Sequence, residues 1–350
     1  MNAKETAKAY TPYVLQKLQE LLAIDSTTGD YEEIQAYLDR ECKALGYPTA
    51  ALNKGGLLVE LGGEGEPVLV NAHADDIGLM VRYINSDGSL EVTPVGGLKA
   101  PSAQCENVRI KTRTGKVYTG TVRRTYASLH TTPLAEREVL ADFEKNIVVT
   151  LDEPVSKAED VLALGIGCGD IVALDPRFVL TESGYIKSRF LDDKACVALA
   201  LAYAKYLKDN NLVPSRKVTL LFSMYEEIGH GGATMPGADY VEYLSLDIGC
   251  VGPRQYSSEQ KVTIGVKDSR YPYHIGTVKA LSAAAEEAGA DYALDMFLPT
   301  YGSDGDAALA AGHDVRHALI GPGVLETHGY ERTHISSLEN TLALLLAYLK

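Results

Sequence analysis

Two neighbouring carboxylates stand just past an apolar run in the second half of the chain. Lys217-Val218-Thr219-Leu220-Leu221-Phe222 leads into Ser223-Met224-Tyr225-Glu226-Glu227-Ile228-Gly229-His230-Gly231-Gly232. The run holds β-forming residues and no Gly or Pro, and it reads as a buried strand of a mainly parallel sheet. Ligands of open α/β sheets bind at the carboxyl edge of the strands, where this pair would lie. Two adjacent like charges are unfavourable unless a cation sits beside them. Taken alone, the pair fits a solvated acidic loop equally well. In an extended segment neighbouring side chains point opposite ways, so both glutamates can serve one site only if the chain turns there. The glycines that follow give it room to turn.

Other predicted strand ends carry the same residue types. Pro67-Val68-Leu69-Val70 runs into Asn71-Ala72-His73-Ala74-Asp75-Asp76-Ile77-Gly78, with an imidazole and a carboxylate two residues apart on one side of the chain. Metal-bound histidines usually need a further carboxylate to orient the ring. The motif alone is more simply a histidine in a polar loop. Asp192 and Asp193 precede the Ala- and Leu-rich stretch 195–207, a predicted helix. An N-cap would use one of them and leave the other unexplained. Tyr243-Leu244-Ser245-Leu246-Asp247 is a further strand ending in a carboxylate, which turn chemistry could also explain. Near the end, Glu326-Thr327-His328-Gly329-Tyr330-Glu331-Arg332-Thr333-His334 offers two late histidines.

Collected, the set is His73, Asp192, Glu226, Glu227, Asp247 and one late histidine. Zn²⁺, Co²⁺ and Mn²⁺ take nitrogen and oxygen ligands of this kind. Five ligands hold two such ions if one carboxylate bridges them, giving a pair roughly 3.5–4 Å apart that activates a water. A sixth carboxylate, left unligated, can serve that water as a base.

These residues need elements to carry them. Tyr13, Val14, Leu18, Leu21 and Leu22 predict an amphipathic helix over 11–23. Asp30 with Glu33 three residues on predicts a capped helix ending near Gly46. Strands follow at 56–61 and 67–70. From 77 to 173 the character changes. Residues 107–113 and 117–122 alternate about a glycine turn and predict a hairpin, with more short strands at 146–151 and 170–174. A single helical segment is predicted near 132–144, and His130 reads as a loop histidine. The α/β pattern then resumes, with helices at 276–288 and 338–349. The expected fold is α/β, a mainly parallel mixed sheet flanked by helices, formed by residues 1–76 and 174–350. Residues 77–173 make a smaller, inserted β-rich domain.

At 350 residues, one large domain carrying a smaller one is the natural division. The net charge of −14, with no basic cluster, argues against nucleic acid or anionic membrane as partners. No apolar run approaches the ~18 residues needed to span a bilayer. The five cysteines are odd in number and scattered, with no C-x-x-C, and the N-terminus lacks a signal peptide's apolar core. The expectation is a soluble cytoplasmic protein with reduced thiols.

The sequence resembles the dinuclear-metal aminopeptidases that include the glutamyl, deblocking and tetrahedral (TET) enzymes, over nearly its whole length. The resemblance rests on Ala72-His73-Ala74-Asp75-Asp76-Ile77-Gly78, Leu191-Asp192-Asp193-Lys194, Glu226-Glu227-Ile228-Gly229 with Gly232-Ala233, and Asp247-Ile248-Gly249. Tyr301-Gly302-Ser303-Asp304 is similar to that family's glycine-rich loop beside the substrate. It implies that His73 and Asp247 bind one metal, Glu227 and a late histidine the other, with Asp192 between them. Glu226 would be the general base and Asp75 would orient His73. His334 is taken as the last ligand over His328, because it lies just ahead of the closing helix as the family's histidine does. Lys194 departs from the family's frequent Arg, and Glu331-Arg332-Thr333-His334-Ile335-Ser336 matches its final motif only in part.

The expected activity is therefore a metalloaminopeptidase with two divalent ions per subunit, Zn²⁺ or Co²⁺ first and Mn²⁺ next. Its substrates would be short peptides with free N-termini. A homo-oligomer, a dodecamer by resemblance, would form through the β-rich insertion. Two other functions compete: a different amide hydrolase or deacylase on the same scaffold, and a catalytically silent oligomeric scaffold. A cellulase reading lacks an aromatic platform, since the chain has no Trp.

Overall fold

The computed structural model describes residues 2–235 and 239–350. The chain divides into two compact units, one running up to Asp75 and again from Arg177 to Lys350, the other spanning Asp76–Pro176. The first is a mixed α/β unit built on a twelve-stranded sheet. At its centre Val218–Ser223, Val68–His73, Glu242–Leu246 and Arg316–Leu325 lie side by side and parallel. The first three of these are buried at every position. Continuous apolar strands of this kind are stable where both faces are covered. Antiparallel neighbours flank these four strands, Leu57–Gly62 on one side and Val262–Lys267 on the other. The strands at 57–62 and 68–73 are consecutive in sequence, yet Val218–Ser223 lies between them.

Helices cover these strands. Leu191–Asp209 is buried at every position from Leu191 to Ala204, as its Ala/Leu composition requires of a helix pressed between layers. Ala3–Leu22 packs against it and against the closing helix Ile335–Tyr348. The opening helix starts eight residues before the predicted position. The Asn2 side chain accepts from the Glu5 amide at 2.8 Å and the Asn2 amide donates to Glu5 at 3.0 Å, a capping box that nucleates the helix upstream of Pro12. The second helix, Glu32–Ala44, begins after Tyr31 with no side-chain cap bond. The predicted cap, Asp30, is buried instead.

The second unit is all β apart from short turns of helix. Gly78–Ile84, Leu90–Val95, Ile147–Leu151, Val117–Arg124, Asn107–Lys111 and Ile171–Leu174 close in that order into a barrel. The predicted hairpin is present as the antiparallel pair Asn107–Lys111 and Val117–Arg124. Closure leaves no sheet edge unpaired. The helix predicted near 132–144 is only a single 3₁₀ turn, Leu134–Glu136. Leu134 and Leu140 are exposed, so no apolar stripe exists there to bury, and His130 lies exposed in the same segment. Among the described residues no helix is long and apolar enough to cross a membrane.

Candidate metal centre

Strand register brings the candidate residues to one edge. Ser223 is level with His73 across the ladder, and Leu246 with Ile320. Residues just beyond these positions therefore emerge together at the carboxyl end of the sheet. Past Ser223 the chain does turn: Tyr225 takes φ 69°, Glu226–Ile228 form one 3₁₀ turn, and Gly229 takes φ 86°. A left-handed residue at Gly229 suits glycine, which has no Cβ to clash. Beyond Leu246, the Asp247 amide donates to Ile320 O at 3.0 Å. A Cβ at Gly321 would stand 1.7 Å from the Asp247 carbonyl oxygen, so only glycine lets the two strands approach this closely.

Asp192 enters from the head of the long buried helix. Neither aspartate caps that helix. Phe190 occupies the cap position without a side-chain bond, and Asp192 and Asp193 both have non-helical backbones. Asp193 instead accepts the His73 amide at 3.2 Å, tying the helix start to the end of the central strand. Lys194 donates to Ile24 O at 2.8 Å.

Two groups of donor atoms result. One oxygen or nitrogen from each of His73, Asp192 and Asp247 lie within 4.8 Å of one another, and so do those of Asp192, Glu227 and His328. Asp192 belongs to both groups. Its Oδ1 is 3.1 Å from His73 Nε2, and its Oδ2 is 3.6 Å from His328 Nε2. Glu227 stands 3.3 Å from the same His328 nitrogen. Glu226 is in neither group and lies 3.8 Å from His73 Nε2. Asp75 meets His73 mainly through its backbone: its carbonyl oxygen is 3.0 Å from Nδ1, its carboxylate 3.6 Å. That carboxylate accepts from Thr28 Oγ1 at 2.6 Å and from the Glu226 amide at 3.2 Å, so Asp75 ties the His73 strand to the glutamate turn.

His334 is elsewhere, and the expectation that it joins this set is corrected. Its Nδ1 caps the closing helix, accepting from the Ser336 amide at 3.1 Å, while Nε2 lies 2.9 Å from Ser183 O. Antiparallel pairing of Glu331–His334 with Tyr185–Ser188 carries it away from the carboxylates. His328 takes the place instead, in a loop where Glu326 and His328 have φ 62° and 64°. Arg189 holds that loop by donating to Gly329 O at 3.0 Å. The buried Glu331, absent from the predicted set, accepts the amides of both Asp192 and His328 at 3.1 Å. An H-x-x-E spacing, His328 to Glu331, was its signal. Asp304 was missed as a partner of the turn; it accepts from Ser223 Oγ and from the Gly232 amide at 2.5 Å.

The site is too acidic to stand alone. Burial pushes the Glu226 and Glu227 carboxyls well above the usual range, and neighbouring carboxylates add to the effect. Burial, with Asp192 beside it, holds Asp247 up to about 7. Burial would push the His73 imidazole down, but Asp192 and Asp75 raise it well above its ordinary value. Among the described residues no lysine or arginine ion-pairs with Asp192, Glu226, Glu227 or Asp247. Buried carboxylates need a counter-charge, and two imidazoles with these oxygens are a donor set that divalent ions fit.

A parallel sheet that gathers imidazoles and carboxylates at its carboxyl edge is the layout of a metallohydrolase. Residues 55–344 match the M42 glutamyl aminopeptidase family, and the chain belongs to that family. It is a peptidase with aminopeptidase activity, and members of this family are in general metal-dependent. YhfE of Bacillus subtilis (strain 168), a candidate aminopeptidase, is 40% identical over 341 residues, covering 96% of this chain and 97% of that protein. The glutamyl aminopeptidase of Lactococcus lactis subsp. cremoris is 26% identical over 246 residues, covering 68% and 66%. The Pyrococcus horikoshii TET1 peptidase, which can assemble into a tetrahedron or a large octahedral shell, superposes with a TM-score of 0.85 at 22% identity, over 96% of this chain and 99% of that one.

Proposed function

We propose that this aminopeptidase releases N-terminal residues from short peptides with two divalent ions, one held by His73 and Asp247, the other by Glu227 and His328, with Asp192 shared. Glu226 is the general base. The observation that carries the reading is the placement of Asp192, whose two oxygens face separate histidines while Glu226 stands beside both donor groups and within neither. Bound there, Zn²⁺, Co²⁺ or Mn²⁺ would polarise the scissile carbonyl and acidify a water.

The chain's own residues do the rest. Glu226 takes the proton of the attacking water, holds it, and returns it to the leaving amine. Asp75 fixes the turn that aims Glu226, and Glu331 fixes the backbone at Asp192 and His328. The five free cysteines suit a reducing compartment, and the cytoplasm is the location proposed. A homo-oligomer, a dodecamer by likeness, is proposed to form through the inserted barrel unit.

The test separates the two glutamates. Glu226→Gln keeps shape and removes the proton acceptor, so metal content should hold while turnover falls by about 10²–10⁴-fold. Glu227→Gln should release an ion, and excess metal should partly restore activity. Loss of metal from the Glu226 variant alone would show the roles to be exchanged.

A further inference from the structure

Four buried polar atoms near this site have no hydrogen-bond partner: Asp268 Oδ2, Asp306 Oδ1, His317 Nδ1 and the Tyr273 hydroxyl. They belong to one cluster. Asp306 Oδ1 is 3.6 Å from His317 Nδ1, and the Tyr273 ring meets the His317 ring edge-on at 4.8 Å. The side chains of Asp268 and Asp306 lie within hydrogen-bonding reach of each other, and Tyr273 approaches Asp268. The remaining carboxylate oxygens are satisfied. Asp268 Oδ1 accepts the amides of Arg270 and Tyr271 at 2.7 and 2.8 Å, and Asp306 Oδ2 accepts the Ser303 amide at 3.0 Å. Among the described residues this cluster is not one of the donor groups close enough to hold a metal.

Two buried carboxylates facing each other cannot both stay ionised at neutral pH. A single proton removes the conflict, turning one orphaned oxygen into a donor for the other. The pair also joins two loops at the candidate centre. Asp268 follows the strand Val262–Lys267 and opens the loop bearing Arg270, whose guanidinium lies against Gly302 and Gly229. Asp306 closes the capping box of the helix Asp304–Ala310. The loop before that helix carries Tyr301, which donates to Ile248 O at 2.6 Å beside Asp247, and the helix's first residue, Asp304, accepts from Ser223 Oγ and the Gly232 amide on either side of the glutamate turn.

We propose that Asp268 and Asp306 hold one proton between them, and that this carboxyl–carboxylate bond is a positioning device that fixes the 268–273 and 301–306 loops against the metal-ligand edge for peptide binding. The groups facing the pair are Lys267, whose Nζ donates to the Asp268 carbonyl oxygen at 2.6 Å, Arg270 and Tyr273 from the loop that Asp268 opens, His317 from the strand Arg316–Leu325, and Ser303 from the cap; Asp304 faces Ser223 and Gly232 instead. Burial, then Asp268, pushes the Asp306 carboxyl up to about 8. Burial pushes His317 down to about 4, so it stays neutral and supplies no counter-charge. With the folded-state value above the unfolded one, the native state holds the extra proton. Stability and loop order therefore decline as pH rises from about 4 towards 8.

The kinetic arm rests on the aminopeptidase reading; the spectroscopic arm does not. Infrared difference spectra of intact wild type against Asp306→Asn and Asp268→Asn should show a protonated-carboxyl band in the wild type at neutral pH, lost in both variants and titrating away near pH 8. Asp306→Asn restores a donor without a proton to lose. It should keep KM near wild type and abolish the rise of KM with pH. Asp306→Ala should raise KM by about 10–100-fold with kcat little changed, as expected when positioning rather than chemistry is lost. No protonated-carboxyl band in an active enzyme, or a KM indifferent to Asp306→Ala, would overturn the proposal. A band present in an enzyme without turnover would support the shared proton while sinking the proposed function.

Discussion

Asp192 is the residue that makes one centre out of two donor groups, and the histidine opposite its second oxygen is the one most worth testing. His328 faces both Asp192 and Glu227, whereas His334 bonds to Ser336 and Ser183. His328→Ala should therefore lose one of two ions after dialysis, with activity falling in step. His334→Ala should keep both and cost only cap stability, about 0.5–2 kcal/mol by chemical unfolding. Metal loss from the His334 variant with full retention in the His328 variant would reverse the assignment. The sequence displayed the candidate residues of the site clearly, because His73, Asp192, Glu226, Glu227 and Asp247 each sit where an apolar run meets a turn or a helix. It could not choose between two histidines six residues apart. That choice is made by the pairing of Glu331–His334 with Tyr185–Ser188, a contact between segments some 150 positions apart. Glu331 escaped for a similar reason, since its partners are backbone amides that only the fold brings to it.

At the scale of elements, apolar patterning placed the central strands and long helices, and local cap chemistry decided what patterning could not. The opening helix shows both. Its apolar stripe predicted residues 11–23, but the Asn2–Glu5 box starts it at Ala3. Further along, the buried Lys17 donates to Glu20 at 2.8 Å and to Glu41 at 2.7 Å, and Glu20 also accepts from Tyr37 at 2.5 Å and Gln16 at 2.8 Å. Partial burial raises the Glu20 carboxyl, but the bonds from Lys17, Tyr37 and Gln16 outweigh it and bring it to about 2. Here the folded-state value lies below the unfolded one. The unfolded chain then binds more protons between about 4.5 and 2, so this stabilisation is complete above that window and lost as pH falls through about 2. Glu20→Gln should flatten the acid limb of the stability curve over that range. At neutral pH it should cost less than about 1 kcal/mol, because the side chain is 36% exposed and solvent screens the pairing. Urea unfolding across a pH series checks it, and an unchanged acid limb would assign Glu20 no electrostatic role.

At the scale of the whole molecule, the inserted barrel holds none of the donor atoms of the candidate centre, all of which come from the larger unit. What it does present is apolar surface. Between the strands Val117–Arg124 and Ile147–Leu151, Leu129, Leu134 and Leu140 are 64, 78 and 80% exposed, with Tyr126 and Val139 beside them in the chain. Hydrogen bonds tie the segment down: Arg124 donates to Glu136 O at 2.9 Å, and Asn146 to Leu140 O at 3.0 Å. Ordering large aliphatic side chains in contact with water has a cost that a covering partner removes. A second copy of the chain is the partner proposed for this unit. Deleting residues 77–173 and joining the flanks should lower the particle mass seen by light scattering to that of a smaller assembly, while the metal content per subunit stays unchanged. Leu134→Asp with Leu140→Asp should act in the same direction with the barrel intact, since two exposed positions bear no part of its core and a charge at each opposes burial. Retention of the full assembly in both variants would move the contact off the barrel and leave its exposed leucines without this role.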